Sequence, residues 1–126
     1  MKYLCLLYFD ETQWPKIPQA EQEKSLREVF AYNESIKHSG HHVASHALQP
    51  THTATTVRVR NGKLMITDGP FAETKEQLGG YYLIEARDLN EAIQVTARNP
   101  GSHYGSIEVR PIWEIPQLQA DAVAHD

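Results

Sequence analysis

Between Asp68 and Tyr82 the chain reads Asp68-Gly69-Pro70-Phe71-Ala72-Glu73-Thr74-Lys75-Glu76-Gln77-Leu78-Gly79-Gly80-Tyr81-Tyr82, which gathers acids, a lysine and two tyrosines in one short stretch. These residue types suit proton transfer and charge stabilisation. Asp68 could take a proton from a substrate if partial burial raised its pKa towards neutrality. The plainer role for Asp68 is to bond backbone N–H groups of the turn that Gly69-Pro70 makes. Lys75 could hold an anionic oxygen while Glu73 or Glu76 shuttles a proton. Equally, Glu73, Lys75 and Glu76 could be a solvated, mutually paired run, each exposed pair worth about 0–1 kcal/mol.

Other candidates surround this stretch. His46, on a short strand, could aim an imidazole into a cleft as an acid or base. Arg110 lies beside Val109 and Ile112 on what reads as a covered strand, so it needs a partner: Asp68, Glu73 or a ligand carboxylate. Arg58 and Arg60 are weaker candidates of the same kind. Tyr81 and Tyr82 point to opposite sheet faces, so one should face a cavity, unless both serve core or interface. Phe71 joins them as an apolar contact for substrate. Gly79-Gly80 permits close backbone approach by a ligand or a partner subunit.

Several chemistries are not indicated. No Gly-x-Gly-x-x-Gly pattern opens a helix, so no dinucleotide cofactor is expected. His41 and His42 project to opposite faces, and His46 and His52 lack carboxylate companions, so no metal site is expected. The single cysteine, Cys5, excludes an internal disulfide and reads as a small buried hydrophobe. A net charge of -4 gives no reason to expect a nucleic-acid partner. The apolar run from Tyr3 to Phe9 is too short to cross a membrane, and Asp10-Glu11 stands where a signal peptide would need small residues. The expected address is cytoplasmic.

The elements that must position these groups follow from periodicity. The 126 residues suit a single domain over 1–115, with a polar, frayed tail over 116–126. Residues 2–9 read as a strand apolar on both faces. A helix follows over 19–38, with Leu26, Val29, Phe30 and Ile36 as its inward stripe, stopped near Gly40. A short strand covers 42–48. Next, 53–60 alternates Thr55, Val57 and Val59 against Thr56, Arg58 and Arg60. Asn61-Gly62 then predicts a type I′ hairpin turn into a return strand over 63–67, with Leu64 and Ile66 inward. A further strand spans 80–86. Asp88 and Glu91 predict a capped helix carrying Leu89, Ala92, Ile93, Thr96 and Ala97 on one face. The last strand is expected over 106–113. This order predicts an α+β layer of the ferredoxin-like plan, two helices on one sheet face, with an added β-hairpin. The uncovered sheet face predicts a homodimer.

The segments MKYLCLLYFDE, TATTVRVRNGK, TDGPFAETKEQLGGYYLIEARDLNEAI and GSIEVRPIWE resemble the DGPF family of the YCII-related (YciI-like) proteins over nearly the whole chain. The resemblance implies a dimeric α+β barrel. It defines no reaction, though many members are encoded beside extracytoplasmic-function sigma factors, which suggests a stress-related role. A related branch carries a histidine in the first helix and an aspartate before a proline after the second, proposed as a catalytic dyad. Here Val29 or Phe30 stands near the first place and Asn99 precedes Pro100, which weakens transfer of that mechanism. The functional expectation is a cofactor-independent enzyme acting by acid–base chemistry on a small organic molecule. The alternative is a non-catalytic module that binds a small ligand or a regulatory protein such as a sigma factor.

Overall fold

A computed structural model describes residues 1–116. The reading of a frayed tail falls mainly on 117–126, outside the described residues. Six strands and three helices follow in order: β1 (Lys2–Phe9), α1 (Gln19–His38), β2 (His42–Ala47), β3 (Thr55–Arg60), β4 (Lys63–Asp68), β5 (Gln77–Glu85), α2 (Leu89–Ala97), α3 (Gly101–Tyr104) and β6 (Ser106–Pro111). Among the described residues no helix is long and apolar enough to cross a membrane.

Four strands form an antiparallel sheet in the order β2-β5-β1-β6. One face of it buries Tyr3 and Cys5 of β1, with Tyr82 and Ile84 of β5, against Tyr32 and Ile36 of α1 and Ala92 and Val95 of α2. Helices covering one face of an antiparallel sheet make a mixed α+β architecture. Tyr32 and Tyr82 meet edge to face at 5.6 Å between ring centroids. Their hydroxyls are satisfied inside the core by the Val95 carbonyl at 2.9 Å and by Asn33 Oδ1. Burial pushes both phenols, and the Cys5 thiol, above their ordinary pKa values.

Those tyrosine partners correct the sequence reading of α1. Leu26 and Phe30 are exposed (Phe30 is 67% accessible), and the buried stripe is Tyr32 and Ile36 with Val29 half-buried beside them. A tyrosine whose hydroxyl finds a carbonyl is as good a core residue as a leucine, and that rotates the helix. The same rotation occurs in α2. Ala92, Val95 and Thr96 are buried while Leu89 and Ile93 stay half exposed. Its start is as expected: the Asp88 side chain accepts from the Glu91 N–H at 2.9 Å, and Glu91 reaches back to the Arg87 N–H at 3.1 Å. The last strand stops at Pro111, short of Trp113, because only one further backbone bond, Ile112 N–H to the Lys2 carbonyl, continues it. The short helix α3 was not anticipated.

The hairpin departs furthest from expectation. Asn61 (φ 54°) and Gly62 (φ 74°) make the predicted left-handed turn, but β3 and β4 pair only with each other and form their own sheet. Leu64 and Ile66 are therefore not inward; both are more than 60% exposed.

One pH dependence follows from the start of β2. Burial, with the Lys37 ammonium nearby, holds the His42 imidazole below its ordinary range. The unfolded chain thus binds this proton more readily than the folded one. The contribution is present above the ordinary histidine range and is lost as pH falls through the lowered value. Melting temperature should therefore drop between about pH 7 and pH 5, and His42→Gln should flatten that step. A thermal melt series on both proteins checks this; equal slopes would remove His42 as the cause.

Candidate functional site

A cleft of about 410 Å³ opens beneath the loop that joins β4 to β5. That volume lies within the roughly 300–1,000 Å³ usual for small-molecule sites. Its floor is Tyr8 and Leu78, which face each other across β1 and β5. One wall is the segment from Leu48 to Ala54, including a 3₁₀ turn over Thr51–Thr53. The other wall is Pro70, Ala72 and Thr74.

The alternation in that second wall decides the site's chemistry. Pro70, Ala72 and Thr74 line the cleft, whereas Phe71, Glu73 and Lys75 do not. The loop bends at 69, 71–72 and 75–76, and these bends turn the small residues toward the cleft and leave the charged ones outside it. Phe71 lies under the Arg58 guanidinium at 5.4 Å instead. What the lining offers is neutral: hydroxyls of Tyr8, Thr51, Thr53 and Thr74, and amides of Gln49 and Gln77. The hydroxyls of Thr51, Thr53 and Thr74 and the Gln77 amide already bond within the chain. They therefore offer a ligand chiefly spare acceptor capacity, and none gives it a counter-ion.

Three segments distant in sequence are tied together around the cleft. The Glu11 carboxylate, just past β1, accepts from the Thr51 N–H at 3.2 Å and from the Thr51 hydroxyl. The Glu11 N–H donates to Gln77 Oε1 at 3.1 Å, and Gln77 Nε2 donates to the Thr74 carbonyl at 2.8 Å. Gly69, at φ 99°, turns the chain out of β4, where its N–H bonds the Ala54 carbonyl at 2.8 Å. Thr56 Oγ1 donates back to the Gly69 carbonyl at 2.8 Å. Glu11 and Gln77 went unnoticed as site residues. The clue was available: Asp10-Glu11 interrupts the chain directly after an apolar strand whose end must meet a loop.

The remaining candidates are dispersed. Asp68 is exposed at the end of β4, opposite Thr55. Glu73 and Lys75 are exposed, and among the described residues no ion pair joins them to each other or to Asp68 or Glu76. Glu76 accepts from the Ser106 hydroxyl at 2.8 Å, which links the loop to β6. His46 and Tyr81 do come together: His46 Nδ1 lies 2.8 Å from the Tyr81 hydroxyl on the sheet face away from the helices. Tyr82 points into the core. Arg110 is not covered; its side chain is 69% exposed and paired with Glu108 at 2.6 Å.

Both glycines of the pair serve close packing within the chain. Gly79 is the extra residue in β5 where the register with β1 shifts, and a Cβ there would overlap the Phe9 ring. At Gly80 a Cβ would sit 3.0 Å from the His46 carbonyl oxygen. On the helical side a second hollow lies between Tyr32, Arg98 and His103, with Pro100 at its margin. Asn99 beside it is buried, its Oδ1 accepting from the Gly101 N–H at 2.9 Å, so that position holds a turn. Among the described residues no cluster of His, Cys, Asp and Glu could hold a metal ion.

Fold and cleft together define a two-layer α+β domain with a neutral, loop-roofed hollow at one end of its sheet. Residues 1–116 match the YCII-related domain family, and the chain belongs to it. It is also 38% identical over 116 residues to an uncharacterised protein of Rhizobium meliloti (strain 1021), covering 89% of this chain and 92% of that one.

Proposed function

We propose that this YCII-related protein binds a small, uncharged, largely apolar organic molecule in the cleft beneath the Gly69–Glu76 loop. The observation that carries the reading is the wall itself: Pro70, Ala72 and Thr74 face the cleft and the charged residues of the same loop do not. An ionised ligand would be desolvated there without a charged partner, which disfavours it. The non-catalytic reading thereby gains over acid–base catalysis by Asp68, Glu73 or Lys75. A role beside a sigma factor rests on family resemblance, and a cytoplasmic address on composition.

The working unit in this reading is a homodimer of ferredoxin-like subunits, a dimeric α+β barrel. The strand order β2-β5-β1-β6 with both long helices on one face supports it. So does the opposite face, where Ala44, Leu83 and Leu4 form one transverse row and His46, Tyr81 and Leu6 the next. Leu4, Leu6 and Leu83 are only half-buried there, and a second copy would cover them.

A second reading, enzymatic, draws on the His46–Tyr81 contact, since two titratable groups at 2.8 Å can pass a proton. Turnover lost in His46→Gln with binding intact would favour it. The first reading is tested by thermal shift with neutral aromatic compounds and their carboxylated analogues. Neutral compounds should raise melting temperature equally in wild type, Asp68→Asn and Lys75→Ala, and fail in Ala72→Trp, which fills the cleft. Preference for the carboxylates, lost in Lys75→Ala, would overturn it.

A further inference from the structure

The β3–β4 hairpin has sharply different faces. On one, cross-strand partners Val57 and Ile66, then Val59 and Leu64, form an unbroken aliphatic patch. These four side chains are 59–64% exposed. The other face pairs Arg58 with Met65 and Arg60 with Lys63. An isolated two-stranded ribbon is marginal in water, and four bare aliphatics on it are a further cost. Within its own chain the ribbon is held at its base, through Gly69, Ala54 and Thr56, while its aliphatic face stays open.

We infer that the hairpin is an arm that lays its Val57–Val59–Leu64–Ile66 face on a second copy of this chain. One observation chooses that occupant. The chain exposes a matching apolar surface on the sheet face away from the helices, at Leu4, Leu6 and Leu83, which the arm's aliphatics can extend across a two-fold axis. Charge does not oppose it: Arg58, Arg60 and Lys63 lie on the other face of the ribbon and stay in solvent when the aliphatic face is covered.

The inference rests on the homodimer reading and adds to it a specific, removable contact. Sedimentation equilibrium on wild type, Val59→Lys and Leu64→Lys separates the two. Wild type should be dimeric, and each variant should dissociate at least tenfold more readily while keeping the wild-type circular dichroism spectrum. A dimeric wild type with unchanged variants overturns the arm and leaves the sheet-face dimer. A monomeric wild type overturns both. Should a variant misfold, hydrogen exchange on wild type decides: amides of 57–66 should gain protection with rising protein concentration, and exchange independent of concentration refutes the arm.

Discussion

Replacing Gly105 by alanine should cost about 3 kcal/mol, the upper end of what overpacking a well-packed site does. A Cβ at Gly105 would overlap the Tyr8 carbonyl oxygen and come within 3.0 Å of the Phe9 Cα. Both are main-chain atoms of β1, so no side-chain rotamer can relieve the overlap. The chain can respond only by moving β6 away from β1 where Tyr8 opposes Ser106. Tyr8 is also floor of the cleft, so ligand binding should weaken along with stability. Denaturant melts read the first effect and ligand titration on the still-folded fraction reads the second. A variant as stable as wild type would mean that β1 and β6 do not approach this closely.

Glu11→Ala should act in the opposite proportion, with a modest loss of stability and a large loss of binding. The carboxylate serves the Thr51 N–H and hydroxyl together. Leaving such donors without a partner costs about 1–3 kcal/mol when buried, and the half-buried position of Thr51 places this case at the low end. Yet that one carboxylate ties the Leu48–Ala54 wall to the end of β1. With it gone, that wall is free to move, and affinity for a neutral ligand should fall at least tenfold. Glu11→Gln retains an acceptor of the same reach and should recover part of the loss. The main-chain bond from the Glu11 N–H to Gln77 survives both changes, so the opposite wall stays in place. Equal binding by wild type and Glu11→Ala would show that the wall stands without its tie.

What could be read from sequence was local. The strand over 2–9, the helix over 19–38, the Asn61-Gly62 turn and the Asp88 cap all depend on residues close together in the chain, and each stands where it was expected. Facing was harder. Tyr32 lies outside the expected stripe, and the partner that lets its hydroxyl enter the core, the Val95 carbonyl, is 63 residues away. The hairpin's alternation was correct, but alternation says only that two faces differ, not that the core is beneath the apolar one. At the cleft, chemical prominence drew attention to Asp68, Glu73 and Lys75, while the lining came from the small residues between them. The tie through Glu11, Thr51 and Gln77 joins three loops and has no local signature.

If the Gly69–Glu76 loop roofs a neutral binding cleft, ligand contacts must fall on that cleft's lining. Chemical-shift mapping of the labelled protein titrated with an uncharged aromatic compound tests it most directly. Saturable shifts are expected at Tyr8, Thr51, Thr74 and Leu78, with Arg110 and the hollow between Tyr32, Arg98 and His103 unmoved. Shifts centred on Asp68, Lys75 or Arg110, appearing only with ionised compounds, would contradict it.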